Sequence, residues 1–230
     1  MTQLIWVLIL LLGLSLALNQ VDRRLRSRVS RARERALSVA KNLESPQFRV
    51  IAGASLPAWV AGRIAPLRAQ FIALGFSEFL IYTRLSRGLN YTCVLLSVDG
   101  RIVVHVWVAR SSDLIKRCLS VVHGWTTFKR ELLTSARYAL VTYFPRACRY
   151  ETSPVQILAQ ASVAGESEYV IISEEMPLND AIQSHQAGAN AFAGHLNSAP
   201  ISVKNEEQFL DIEREHCAKL AANMRRAIDS

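Results

Sequence analysis

Apolar residues are distributed along this chain in two different ways. Residues 4–18 form an apolar run without a single charged side chain. From residue 47 onward, apolar positions recur instead at the intervals of amphipathic strands and helices. The first pattern predicts one membrane-spanning helix, and the second predicts one folded α+β domain.

The clearest tertiary signal is a β-hairpin. Residues 90–98 and 101–109 read as strands joined by Asp99-Gly100, which predicts a two-residue loop that pairs Val98 with Arg101. The core face then carries Tyr91, Cys93, Leu95, Ser97, Ile102, Val104, Val106 and Val108. The opposite face includes Val94, Leu96, His105 and Trp107. It is too apolar to face water, so we expect a helix, a partner or a ligand to cover it.

The remaining patterns complete an antiparallel meander with flanking helices. Further strands are predicted at residues 78–83, 114–123 and 129–143, and residues 169–172 are a candidate sixth strand. A helix in the sixties should pack on the sheet and end at Gly75. Pro57 can open that helix, whereas Pro66 should break or restart it.

Two helices are predicted at the C-terminal end of the chain, at residues 176–196 and 205–228. Asn205 is the expected cap of the second helix. Their histidines, His185 and His216, fall on the inward stripes and should be hydrogen-bonded core residues. The predicted inward positions are Leu178, Ile182, His185, Ala189 and Phe192 on one helix, and Phe209, Ile212, His216, Leu220, Met224 and Ala227 on the other.

The apolar run reads as an uncleaved anchor within residues 1–21. Fifteen helical residues rise about 22 Å, and extension to Met1 and Val21 reaches the ~30 Å of a hydrocarbon core. No basic residue precedes the run, which disfavours a cleaved signal peptide, although export after cleavage is the alternative. Arginines follow it at positions Arg23, Arg24, Arg26, Arg28, Arg31, Arg33 and Arg35. Positive flanks stay cytoplasmic, so we expect the N-terminus outside and the domain in the cytoplasm.

Residues 22–45 form a predicted basic helix between the anchor and the domain at 46–230. Residues 21–36 hold seven arginines and two carboxylates, which accounts for +5 of the chain's net charge of +8. The seven arginines are therefore expected to face anionic lipid head groups. The thin apolar stripe of this helix is compatible with a solvated connector, a weak self-association seam or a helix lying on the membrane.

Residue chemistry excludes several function classes. Nucleotide-binding glycine motifs, GxSxG and HExxH are absent from the sequence. The chain has four cysteines, which are Cys93, Cys118, Cys148 and Cys217. They show neither CxxC spacing nor the spacing of a disulfide framework, so we expect buried thiols and no metal site. Because these motifs are absent, we expect no cofactor. We also expect no nucleic-acid partner, because the charge of the domain is nearly balanced.

These observations favour a membrane-anchored binding or assembly module with an unidentified protein partner. The partner would meet the hairpin face at Val94, Leu96, His105 and Trp107. One alternative is a membrane-tethered enzyme with a site near His105, Cys118 and His123, the only plausible metal or nucleophile cluster in the sequence. Another is an anionic-lipid-binding module that uses the arginine-rich segment.

Overall fold

A computed structural model describes residues 30, 31, 33, 34, 36–84, 90–109, 136–154 and 166–229. Within them the chain forms an α+β fold with a mostly antiparallel seven-stranded sheet. The strands lie side by side in chain order: β1 (Phe48–Val50), β2 (Ser77–Arg84), β3 (Asn90–Leu96), β4 (Val103–Ala109), β5 (Arg137–Phe144), β6 (Cys148–Ser153) and β7 (Glu168–Ile171). The helices are α1 (36–44), α2 (Ala58–Ala73), α3 (Leu178–Leu196) and α4 (Glu206–Asp229).

Helices cover the sheet on both sides. We call the side that carries Cys93 and Val106 the first face, and the side that carries Val94 and His105 the second face. α2 and α3 pack on the first face, where Phe71 is among the fully buried side chains. α4 covers the second face through Phe209 and Leu210. The chain therefore buries both sides of a sheet whose central strands are apolar on both sides.

The β3–β4 hairpin has the predicted register. Leu96 pairs with Val103 and Asn90 with Ala109, which places the predicted core residues on the first face. The predicted two-residue loop is wrong, because the strands end earlier and Val98 is 96% exposed in the turn. Ser97 Oγ donates to Asp99 and accepts from the backbone N–H of Ile102. Together with the backbone bonds from Ser97 to the Ile102 carbonyl and from Gly100 to the Ser97 carbonyl, they close a four-residue turn.

α2 begins after Pro57 and packs on the sheet, as predicted. Its end is also as predicted, because Gly75 follows it with a φ of +91°. The predicted break at Pro66 is wrong, since the helix continues through that residue. Pro66 and Gly62, four positions earlier, lie on the exposed side. Water can therefore solvate the carbonyl that the proline leaves without its N–H partner.

Two strand assignments differ from expectation. β6 was not predicted, yet it pairs with β5 across the turn at residues 145–147. Arg146 and Ala147 adopt positive φ in this turn. Arginine and alanine rarely adopt that conformation, so the sequence did not indicate the turn. The candidate strand at 169–172 is confirmed as β7, but it pairs with β6 in parallel. β4 lies between β3 and β5; the predicted strand at 114–123 and residues 129–135 lie outside the described residues.

Both C-terminal helices are confirmed, and Asn205 caps α4 by accepting from the backbone N–H of Gln208 at 2.9 Å. The segment that leads into α4 is fixed to the sheet by backbone hydrogen bonds. Val203 donates to the carbonyl of Gly100, and Ile201 donates to that of Tyr143. These contacts position α4 across the second face.

The N-terminal part of the described chain packs on α4. In α1, Ala40 and Leu43 are buried against Leu220 and Met224 of α4, and the helix ends at residue 44, as predicted. The predicted anchor at residues 1–21 lies outside the described residues. Of the helices within the described ranges, none is long and apolar enough to cross a membrane.

Candidate functional site

A cavity of about 230 Å³ lies on the second face beside α4. Its walls come from five adjacent strands and from the helix. The lining residues are Tyr82 and Arg84 of β2, Thr92 of β3, His105 and Trp107 of β4, Ala139 and Val141 of β5, Arg149 and Glu151 of β6, and Glu213 of α4.

Strand register brings these residues together. Tyr82, Thr92 and Trp107 form one row across β2, β3 and β4. His105 lies opposite Ala139, and in the next row Val141 lies opposite Glu151. Because side chains two apart on a strand share a face, all of them point toward α4. The small side chain of Ala139 leaves room for the cavity.

A cluster of ionised groups lies deep beside this cavity. The Arg149 guanidinium is 2.7 Å from Glu151 and 3.8 Å from Glu213, and each of these three side chains is at most 7% exposed. Buried charges persist only when they are paired and hydrogen-bonded, so each member requires the others. Arg149 lies opposite Tyr143 on β5, which places the cluster within the core of the sheet.

Glu213 connects this cluster to His105 through a tyrosine. The Tyr143 hydroxyl donates to Glu213 Oε1 at 2.5 Å, and it lies 3.0 Å from His105 Nε2. The single hydroxyl proton is used on the carboxylate. The Tyr143 oxygen must therefore accept from a protonated Nε2 of His105. This assignment leaves Nδ1 as the lone-pair nitrogen of a neutral ring.

A second branch runs from Arg149 to His216. Arg149 Nε donates to the Tyr169 hydroxyl at 3.2 Å, and its guanidinium lies over the Tyr169 ring. The Tyr169 hydroxyl lies 3.4 Å from His216 Nε2, and His216 Nδ1 donates to the Ala147 carbonyl. The branch therefore ends at a backbone carbonyl, and both ring nitrogens of His216 have a partner. Among the described residues, His105 Nδ1 has no hydrogen-bond partner.

The electrostatics keep His105 neutral and Glu213 charged at neutral pH. Burial lowers the pKa of His105 to about 4, with Arg149 and Arg84 acting in the same direction and Glu213 against them. Burial works to raise the pKa of Glu213, but His105, Arg149 and the Tyr143 hydrogen bond outweigh it and bring that pKa to about 2. Burial also raises the pKa of Glu151, against the effect of Arg149.

Arg84 is the half-buried cation of the cavity wall. Its Nη2 donates to Cys217 Sγ at 2.9 Å, and the guanidinium lies 5.4 Å from the centre of the Phe48 ring. No carboxylate among the described residues forms an ion pair with it. A thiol is a weak acceptor, so the described residues leave most of the hydrogen-bonding capacity of Arg84 unused.

The residues predicted to bind a partner are separated by the structure. His105 and Trp107 line the cavity. Val94 and Leu96 are instead buried in the cluster that includes Phe209 of α4. The chain's own helix thus accounts for the apolar character that suggested a docking face. Cys118 and His123 lie outside the described residues, whereas Cys93, Cys148 and Cys217 are buried free thiols, as predicted.

The arginine-rich segment is described only in part. Arg31 and Arg33 are exposed, and Arg33 lies 3.2 Å from Asp229 at the end of α4. The other five predicted lipid-facing arginines, Arg23, Arg24, Arg26, Arg28 and Arg35, lie outside the described residues.

Sequence reasoning missed most of the charged residues of the site. Arg149 and Glu151 lie on the strand that was not predicted, and charged side chains at alternating strand positions ordinarily face solvent. Glu213 carried a usable signal, because it lies four positions after Phe209 and three before His216 on the buried stripe of α4. A carboxylate on such a stripe requires a buried partner.

A second depression, of about 370 Å³, lies along the start of α4. It is lined only by residues between 205 and 215, and among those lining residues no second element forms an opposite wall. The cavity beside His105 is therefore the stronger candidate. Comparisons of the chain with protein-family models, with curated proteins and with solved structures gave no match. Function must therefore be argued from the site.

Proposed function

We propose that this chain is a membrane-tethered binding module whose domain holds a small polar ligand in the cavity beside α4. One observation carries the proposal: His105, whose Nδ1 has no hydrogen-bond partner within the described ranges, lines a recess that is walled by buried charged residues. Binding sites commonly combine an apolar wall with a few convergent polar groups. Trp107 supplies the apolar wall here, and Arg84 and His105 supply the polar groups.

The test is a thermal-shift screen of the full-length chain in mild detergent. The library would hold diverse water-soluble compounds. A compound that binds only the folded state raises Tm, and at a hundredfold excess over Kd the stabilisation is about 2.7 kcal/mol. We expect true cavity ligands to lose this effect in Ala139→Leu, because the added carbons fill the cavity from its floor.

Ala187→Leu is the matched control, because Ala187 is exposed on α3. It should respond to ligands like the unmodified chain. A screen without hits, or hits that survive Ala139→Leu undiminished, would count against the proposal.

The membrane tether rests on the sequence of residues 1–35. The apolar run at residues 4–18 supports an anchor, and the arginines behind it support a cytoplasmic domain with basic side chains near anionic lipids. A Ser230→Cys chain should react with a membrane-impermeant maleimide only after cells are permeabilised. The unmodified chain corrects for its native cysteines, and labelling in intact cells would contradict this orientation.

An enzymatic role is the second candidate, and the His105–Tyr143–Glu213 chain supports it. If Nδ1 accepted a proton from a bound molecule, Glu213 would stabilise the imidazolium through Tyr143, as a carboxylate does behind a catalytic histidine. The test is NMR observation of each ligand from the screen during incubation with the protein. Conversion that His105→Gln abolishes while binding persists would favour the enzyme, and unchanged ligands would favour the module.

A further inference from the structure

A cation, an aromatic ring and a neutral histidine, namely Arg84, Trp107 and His105, line the same cavity. Together they restrict what it can hold. Resting on the binding function proposed above, we propose that the ligand is a small planar organic anion that also carries a hydrogen-bond donor. Its anionic group would meet Arg84, its ring would lie against Trp107, and its donor would bind His105 Nδ1.

Arg84 can bind an anion because, within the described part of the chain, no carboxylate forms a direct ion pair with it. Its described contacts are a thiol and the face of an aromatic ring, and neither removes the need of a guanidinium for strong acceptors. The planar fork of arginine matches a carboxylate or phosphate with two parallel hydrogen bonds. An anion that displaced water from this half-buried side chain would gain charge-assisted bonds.

The buried carboxylates do not make the cavity a cation site. Glu151 is held by Arg149 at 2.7 Å, and Glu213 accepts from Tyr143 and lies 3.8 Å from Arg149. A cationic ligand would therefore have to compete with a guanidinium that is already in place. It would also lie near Arg84, where like charges repel.

The other two groups select for a planar molecule with a donor. Trp107 is only partly buried on the second face, and it offers an aromatic wall on which a ring can stack. His105 Nδ1 can only accept in the neutral tautomer that Tyr143 imposes. A hydroxyl or amine on the ligand would satisfy it, whereas a ligand without one would leave it desolvated and unpaired.

The experiment is calorimetric titration of the full-length chain in mild detergent with four probes of similar size. 4-Hydroxybenzoate carries both the anion and the donor, benzoate lacks the donor, phenol lacks the anion, and benzamidine is a cation. We expect 4-hydroxybenzoate to bind most tightly and benzamidine to show no binding. Ala139→Leu should abolish the heat of binding.

Arg84→Gln should weaken 4-hydroxybenzoate at least about tenfold, because a charge-assisted bond is lost. Arg84→Lys keeps the charge without the fork and should retain part of the affinity. The control is Arg101→Gln, since Arg101 is exposed in the β3–β4 turn and lies 3.7 Å from Asp99. It should bind like the unmodified chain. Thermal unfolding of each variant checks that the fold is kept.

The outcomes separate this inference from the function on which it rests. Benzamidine or phenol binding as tightly as 4-hydroxybenzoate, with sensitivity to Ala139→Leu, would overturn the anion assignment and leave the cavity as a binding site. Equal affinity of Arg84→Gln and the unmodified chain for 4-hydroxybenzoate would also overturn the anion assignment and leave the cavity as a binding site. If none of the probes bound and the broad screen also gave no cavity ligand, both proposals would fail.

Discussion

Single residues of this domain owe their role to neighbours that are distant in sequence. Glu213 and Glu215 lie two positions apart on α4, yet Glu215 is exposed and Glu213 is 3% exposed. Glu213 can remain charged there because Tyr143 donates to it and Arg149 lies close by. The residue type is the same at both positions, and only the surroundings differ.

Replacing Glu213 by Gln should therefore destabilise the fold. The amide oxygen can still accept from Tyr143, but Arg149 loses one of its two charged partners in a buried setting. We expect the free energy of unfolding to fall by about 2 kcal/mol. Urea unfolding followed by tryptophan fluorescence measures it.

The matched control is Glu215→Gln, which should change stability by no more than about 0.5 kcal/mol, as exposed substitutions usually do. Similar values for the two variants would show that the buried charge cluster does not contribute in the way its geometry suggests.

At the scale of elements, packing decides which positions of a helix tolerate change. α3 contains Gly188 and Gly194. A Cβ at Gly188 would overlap the Tyr150 hydroxyl and ring, whereas a Cβ at Gly194 would meet nothing within 4 Å. The Tyr150 ring cannot move away freely, because it is buried and its centre lies 5.8 Å from that of Phe192 and 5.3 Å from that of His185.

These two glycines provide a matched pair on one helix. Gly188→Ala should lower the free energy of unfolding by about 1–3 kcal/mol, the usual cost of overpacking. Gly194→Ala should raise it by about 0.5–1 kcal/mol, because alanine loses less conformational entropy in a helix. Urea unfolding gives both values, and a stabilising Gly188→Ala would mean that α3 does not lie against Tyr150 as described.

Elements with a strong periodic pattern are those that the sequence predicts correctly. α2, α3, α4 and the β3–β4 hairpin follow from apolar spacing and turn chemistry, because each buries a stripe or face that its own residues specify. β6 was missed because the turn before it has positive φ at Arg146 and Ala147, residue types that do not signal such a turn. Arg149 and Glu151 became part of the site only because α4 covers them.

Three histidines in the described part of the molecule are buried in neutral form, and this makes its stability depend on pH. Burial lowers the pKa of His105 to about 4 and those of His185 and His216 to about 3. In the unfolded chain these groups bind protons near pH 6.5. The unfolded state therefore binds protons that the folded state does not bind. The contribution of these histidines to stability is fully present above about pH 6.5 and is lost as the pH falls toward 4.

We expect each of these histidines to contribute a slope of about 1.4 kcal/mol per pH unit well below pH 6.5. Urea unfolding at a series of pH values from 8 to 4.5 measures the total. His185→Gln should reduce the slope by about 1.4 kcal/mol per pH unit, because the unfolded chain then binds one proton fewer. His185 is a suitable choice because its two ring nitrogens bond Thr142 and Thr152, at 3.0 and 2.9 Å. It is also not among the residues that line the cavity.

The control for this experiment is His195→Gln, because His195 is exposed on α3. It should leave the slope unchanged. A stability that stayed constant between pH 7.5 and 5 would show that the buried histidines are not held neutral by the fold.

Several features follow from the amino-acid sequence alone: the α+β class, the register of the central hairpin, the helices of the domain, and the burial of His185 and His216. They depend on local spacing and turn residues, which the chain carries without reference to its fold. Two features arise only from the packing of α4 on the sheet: Val94 and Leu96 lie beneath α4, and His105, Arg149 and Glu213 meet at one cavity. Such a meeting depends on which face a helix covers and on strands far apart in sequence, and side-chain identity alone does not specify either.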